Sequence, residues 1–196
     1  MNYLAHFYLT RGQEEITAGN FIADFVRSSK HHRFSEGVQR GISIHHSIDT
    51  FTDEHEIVSR SKQRLYDKYH KYATVIVDVY YDHFLAYNWS RIRGTSIPLA
   101  QFSHETYSLL RKQRHIFPFG AQRLFHYMST YDWLYSYSSL EGIQRALNGL
   151  SRRARFNSGM ENAVEDLEKF YPEFEKEFLE FFPELINHIN KISERK

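Results

Sequence analysis

A column of ionisable side chains runs through the segment GISIHHSIDTFTD, residues 41–53. His45, Asp49 and Asp53 are spaced four residues apart, so a helix would stack them along one face. Imidazole nitrogens and carboxylate oxygens are the ligands that divalent cations take from proteins. The column therefore predicts either a metal site or a solvated polar face that repeats every four residues.

Three further segments interrupt apolar helical patterns with polar side chains. In chain order they carry His6, then Asn20 and Asp24, then Asp78, Asp82 and His83. An ionised carboxylate within a buried helix is costly unless it is paired or coordinated, and a divalent cation removes that cost. Each residue alone also has an ordinary explanation: a core histidine, a solvated aspartate or, at Asp53, a helix cap. The residues alone leave both interpretations open.

Helices must position these side chains, because apolar residues recur at helical spacing along most of the chain. The segment at 72–89, YATVIVDVYYDHFLAYNW, runs without a turn signal and favours a buried helix over a strand. The C-terminal segment PEFEKEFLEFFPELINHINKI repeats apolar residues with the same period. We predict an all-α protein, one globular domain spanning residues 1–196, with about seven to nine helices.

Composition narrows the chemistry and the partners. The chain has no cysteine, so metal ligands must come from His, Asp, Glu, backbone or water. A net charge of +1 gives no overall attraction to nucleic acid, and no nucleic-acid motif is present. The apolar N-terminus, MNYLAHFYLT, is too short to span a bilayer and lacks the features of a signal peptide. We expect a cytoplasmic protein that binds neither nucleic acid nor membrane.

Five blocks of sequence resemble the acyl carrier protein phosphodiesterase family, in that family's order. They are MNYLAH, GNFIADFVR, GISIHHSIDTFTD, DVYYDHFL with a following tryptophan, and LNGLSRRARF, and they span residue 1 to about 156. The resemblance implies a divergent HD-type metal-dependent phosphohydrolase with an all-α, HD-like domain. It implies hydrolysis of the 4′-phosphopantetheine arm from holo acyl carrier protein, an acidic protein substrate, with Mn²⁺ as the favoured metal and Mg²⁺ or Fe²⁺ as alternatives.

The resemblance also implies roles for individual residues. The metal ligands would be His6, Asp24, His45, Asp49 and Asp82. His83 would be a ligand or would protonate the leaving serine oxygen, and Asp78 would be a ligand or would orient one. The residues expected to meet the phosphate or the carrier are Arg27, His46, Arg152, Arg153 and Arg155.

Two departures from the family pattern affect this assignment. The adjacent His-Asp pair that names the HD superfamily is absent, and Asp82-His83 offers the reverse order. Position 46, often basic in the family, is His46. Two other functions therefore stay open: an HD-like phosphohydrolase acting on nucleotides, and a helical module that binds a metal or ligand without catalysis.

Overall fold

The computed structural model describes residues 1–93 and 97–194, and all regular structure in those ranges is helical. This confirms the predicted all-α class. The α-helices are α1 Tyr3–Leu9, α2 Glu14–Ile22, α3 Glu36–Glu54, α4 Glu56–Tyr69, α5 Ala73–Tyr87, α6 Trp89–Arg93, α7 Leu99–Lys112, α8 Phe119–Thr130, α9 Trp133–Ser136, α10 Leu140–Arg153, α11 Ala163–Lys169 and α12 Tyr171–Glu194.

The described residues form twelve α-helices, more than the seven to nine expected. The difference comes from short segments: α6 has five residues, α9 has four, and α1 and α11 have seven each, too few to show a clear period of 3.6 in the sequence. The long patterned segments become helices as predicted, as α5 and α12 show. No helix among the described residues is long and apolar enough to cross a membrane.

Helix α5 lies at the centre of the core and is buried on several faces. Val77, Val79 and Tyr80 have no measurable exposure, although they point in different directions around the helix. Helices α1, α4, α10 and α12 pack around α5. A helix buried in this way must satisfy its own polar side chains within the protein. Asp82, in the middle of α5, is also completely buried.

Helices α2 and α3 cross at close range because each has a glycine at the contact. A Cβ added to Gly19 would lie 2.1 Å from the carbonyl oxygen of Val38, and one added to Gly41 would lie 2.1 Å from that of Ile16. Neither position can accept a larger side chain without moving a backbone. This close approach brings Asn20, next to Gly19, against His45, one turn after Gly41.

Candidate metal centre

Three side chains from two helices gather at one point. His6 of α1 and His45 and Asp49 of α3 each offer a ligand atom, and these atoms lie within 4.8 Å of one another. The Nε2 atom of His6 lies 3.2 Å from Asp49 Oδ1, and that of His45 lies 3.0 Å from Asp49 Oδ2. Both histidines are buried, whereas the Asp49 side chain is 39% exposed. We call these three residues the His–Asp cluster.

Asn20 orients both imidazoles of the cluster. Its Oδ1 atom lies 2.9 Å from His6 Nδ1 and 3.2 Å from His45 Nδ1. A carbonyl oxygen only accepts hydrogen bonds, so each ring must carry its proton on Nδ1 to donate to it. Both Nε2 atoms are then turned toward the carboxylates. Metal-ligating histidines are held by outer partners in this way.

A positive charge between the rings and the carboxylates would stabilise the cluster. With Nδ1 protonated, a neutral imidazole presents its Nε2 lone pair to a carboxylate, which is repulsive unless a proton or a cation lies between them. Burial lowers the pKa of His45, but its hydrogen bonds to Asp24 and Asp49 outweigh burial and raise the pKa to about 9. Burial dominates at His6 and lowers its pKa.

One proton on His45 therefore compensates only part of the cluster's negative charge. Asp49 keeps its carboxylate ionised, since its hydrogen bonds to His45 and His6 overcome burial and hold its pKa far below the ordinary value. The hydrogen bond from His45 also lowers the pKa of Asp24, whose Oδ1 lies 3.2 Å from His45 Nε2. Two imidazoles and two carboxylates fit a divalent cation.

The cluster opens into a cavity of about 260 Å³, here called the cluster cavity. Asn2, Tyr3, Asp24, Asp53, Thr74 and Asp78 are also among its lining residues. Asp53 shares the column predicted from the sequence, but its carboxylate is paired with Lys62 at 2.8 Å. Asp24 reaches the cluster from the turn after α2, with 63% of its side chain exposed.

Asp78 lines the cluster cavity and pairs with the amino group of Met1, not with the two histidines. Its Oδ1 atom lies 3.1 Å from the amino nitrogen of Met1, and burial raises its pKa. Asp78 also lines a second, larger space described below. It therefore stands where the two spaces meet.

The structure places Asp82 apart from the cluster. Its Oδ2 accepts a hydrogen bond from the Leu4 backbone N–H at 2.7 Å, and its Oδ1 accepts one from the Ala5 N–H at 3.1 Å. Burial raises its pKa to about 7, against the effect of these two hydrogen bonds. Asp82 thus holds the first turn of α1, the helix that carries His6, whereas the sequence predicts a direct ligand.

His83 is likewise not brought into the cluster. Its Nδ1 donates to the Tyr137 carbonyl oxygen at 2.8 Å, and its Nε2 accepts from the Tyr171 hydroxyl at 2.9 Å. Burial lowers its pKa. Both ring nitrogens are thereby engaged in packing α5 against its neighbours.

The residues predicted to meet the phosphate or the carrier lie in three places. Arg152 and Arg153, at the end of α10, line a groove of about 950 Å³ that we call the α10 groove. Arg155 lies beyond the helix, with its guanidinium 5.5 Å from the ring of Phe156. Arg27 and His46 are exposed and are absent from the linings of both spaces.

Sequence reasoning missed the α10 groove entirely. Its walls come from three distant parts of the chain, near residues 1–3, 72–78 and 131–160. The sequence places Asn20 one turn before Asp24 but does not show that its side chain holds both imidazoles. The signal that points to this role is Gly19, the neighbour of Asn20, because it marks the close helix crossing.

Gly41→Ala should destabilise the protein at the crossing of α2 and α3. The added methyl group meets the Ile16 carbonyl oxygen and forces α2 and α3 apart. We expect the free energy of unfolding to fall by about 1–3 kcal/mol, as for other overpacked cores. The separation also moves Asn20 away from His45, so metal-induced stabilisation should weaken. Thermal unfolding with and without Mn²⁺ measures both effects.

Gly149→Ala is the matched control for Gly41→Ala. Gly149 also lies within a helix, but an added Cβ there meets no atom within 4 Å. Alanine should therefore hold or raise the melting temperature, because it is the better helix former. Equal melting temperatures for Gly41→Ala and the unchanged protein would contradict the account of the crossing.

Comparison with known proteins places this chain among bacterial relatives of similar length. The family model described as acyl carrier protein phosphodiesterase matches residues 1–185. A protein of that name from Photorhabdus laumondii is 31% identical over 183 residues, 93% of this chain and 92% of the relative. Another from Escherichia coli O6:H1 is 32% identical over 196 residues, 97% of this chain and 98% of the relative. No solved structure matches the chain, so the predicted likeness to HD domains stays a prediction.

Proposed function

Since the chain belongs to the acyl carrier protein phosphodiesterase family, we propose that it hydrolyses the phosphodiester between 4′-phosphopantetheine and the serine of holo acyl carrier protein. A water oxygen bonds to phosphorus, the bond from phosphorus to the serine oxygen breaks, and that oxygen takes a proton. The products are the apo carrier and free 4′-phosphopantetheine. The observation that carries the proposal is the buried His–Asp cluster opening into a cavity.

We assign the divalent metal to His6, His45, Asp49 and Asp24. Two imidazoles and two carboxylates suit Mn²⁺ or Fe²⁺ better than Mg²⁺, which prefers oxygen ligands alone. Mn²⁺ is the ion we propose, with Fe²⁺ and Mg²⁺ as alternatives. When bound, the metal supplies positive charge to the phosphate oxygens and lowers the pKa of water.

The remaining polar residues position the substrate and move the proton. Asp78 lines the cluster cavity and burial raises its pKa, so we assign it to give a proton to the leaving serine oxygen. Asn20 keeps both Nε2 atoms facing the cavity. Asp82 fixes the start of α1 and so the position of His6. His83 has no part in this chemistry, because both its ring nitrogens bond elsewhere.

The basic segment at 151–155 is the one we propose for docking the acidic carrier. Arg152, Arg153 and Arg155 are exposed, and the first two line the α10 groove. The basic residues of 59–64 are already paired: Arg64 with Glu177 at 2.7 Å and Lys62 with Asp53 at 2.8 Å. Charges near the reaction site would steer the carrier so that its modified serine arrives at the cavity.

The test of this function is turnover on competing substrates. The Mn²⁺-loaded protein should convert holo carrier to apo carrier and leave a panel of nucleotides unchanged. Conversion of nucleotides alone would favour the nucleotide phosphohydrolase instead. Binding of Mn²⁺ without turnover of either substrate would favour a non-catalytic binding module.

Metal binding can be measured separately from turnover. Added Mn²⁺ should raise the melting temperature, because a ligand that binds only the folded state stabilises it by about 2.7 kcal/mol at one hundred times its Kd. Chelator should reverse the shift and abolish hydrolysis together. A melting temperature that changes with neither Mn²⁺ nor chelator would contradict the proposed metal centre.

A further inference from the structure

The α10 groove adjoins the cluster cavity. The two spaces share Met1, Asn2, Tyr3 and Asp78 in their linings. A substrate with its phosphate in the cluster cavity can therefore extend one substituent into the groove without leaving the protein. The groove volume of about 950 Å³ lies within the range of roughly 300–1,000 Å³ typical of sites that enclose organic ligands.

Tyr3 lines both spaces, and Arg153 lines the groove. Burial raises the pKa of Tyr3; the charge of Asp24 adds to this effect and the guanidinium of Arg153 opposes it. A ligand that carries a phosphate would benefit from the guanidinium as a second cation.

Beyond the junction the groove lining combines aromatic and small side chains with the guanidinium groups of Arg145, Arg152 and Arg153. Trp133 and Tyr131 contribute rings, and Ala146 and Gly149 of α10 contribute little bulk. Asn148 supplies an amide on the same helix. The apolar and amide parts of this lining suit a chain that alternates aliphatic segments with amides, and the arginines suit the phosphate at the end of that chain.

We propose that the α10 groove binds the pantetheine arm of the carrier substrate, from the phosphate outward to the thiol. This inference rests on the proposed function, because only that function puts such an arm on the phosphate. The arm contains two amides, a hydroxyl and aliphatic segments, and it carries no charge beyond its phosphate. Its chemistry therefore matches the walls of the groove.

Gly149 keeps the groove open at its α10 wall. An added Cβ at this position meets no atom within 4 Å, so a larger side chain would project into open space instead of into the core. Gly149→Leu should therefore fold, since it also replaces a poor helix former with a good one. The leucine would occupy space that the arm needs.

The experiment compares Gly149→Leu with Glu141→Leu, using holo carrier as substrate and pantetheine, which has no phosphate, as a binding probe. Glu141 is exposed on the same helix and does not line the groove. Gly149→Leu should raise KM for the holo carrier by about tenfold or more, the scale of steric changes in apolar pockets. Pantetheine should raise the melting temperature of the unchanged protein and of Glu141→Leu, but not of Gly149→Leu.

Three results would overturn the groove assignment. They are an unchanged KM for Gly149→Leu, equal stabilisation of both leucine variants by pantetheine, and no stabilisation of the unchanged protein. The failure of the proposed function is a separate result: the unchanged protein would then leave the holo carrier intact. Pantetheine binding can be measured whether or not the protein hydrolyses the holo carrier.

Discussion

Asp49→Ala should abolish hydrolysis of the holo carrier and remove the stabilisation by Mn²⁺, while the protein stays folded. Asp49 is the carboxylate that faces both histidines, at 3.2 Å and 3.0 Å. Loss of an outer partner of a metal ligand typically costs about 10–100-fold in affinity or activity, so the loss of a ligand should exceed this range. Steady-state kinetics and metal titration measure the two effects.

The metal-free Asp49→Ala protein should lose less stability than a variant that leaves fully buried groups unpaired. Asp49 forms an ion pair with His45, but its side chain is 39% exposed, so solvent screens the pair. Asp53→Ala is the control, because Asp53 lies one turn further along α3, lines the same cavity and pairs with Lys62. The activity of Asp53→Ala should fall by no more than about tenfold, which is a smaller loss than we expect for the removal of a metal ligand. Equal losses of activity in both variants would indicate that the column is a general acidic surface instead of a metal centre.

Asp82→Ala should lose activity for a different reason, through loss of stability. Its removal leaves the N–H groups of Leu4 and Ala5 buried without an acceptor, and each such group costs about 1–3 kcal/mol. The first turn of α1 then loosens and His6 moves away from the cluster. Thermal unfolding of the metal-free protein should show a large drop for Asp82→Ala and a small one for Asp49→Ala.

Asp82→Asn separates the helix-holding role from a ligand role. Asparagine keeps one oxygen that can accept a backbone hydrogen bond, so it should recover part of the stability and part of the activity. If Asp82 instead binds the metal directly, both replacements should lose activity equally and metal-free stability should hardly change. That outcome would restore the role expected from the sequence.

The sequence predicts the elements of the site better than it predicts the contacts between them. The spacing of His45 and Asp49 places both on one face of α3, and the structure brings them together with His6. Spacing within α5 likewise puts Asp78 and Asp82 on one side. This spacing does not show which neighbouring element lies against each aspartate. In the structure, Asp82 accepts hydrogen bonds from the backbone of α1.

For a similar reason, the α10 groove cannot be predicted from the local sequence pattern. Its walls combine Tyr3, Trp133 and Gly149, which are far apart in the chain and individually ordinary. Helical period predicts which face of α10 is apolar, but not that small residues on it leave a space. That space depends on the packing of α10 beside α5 and α9.

In the proposed reaction, the His–Asp cluster directs water to the phosphorus of the carrier's phosphodiester. The most direct test is intact-mass spectrometry of holo carrier incubated with the Mn²⁺-loaded protein in ¹⁸O-water. We expect unlabelled apo carrier with its serine intact and ¹⁸O in the released 4′-phosphopantetheine, and no conversion by Asp49→Ala. A carrier product that lacks the serine oxygen or carries the label, or full conversion by Asp49→Ala, would contradict this role of the cluster.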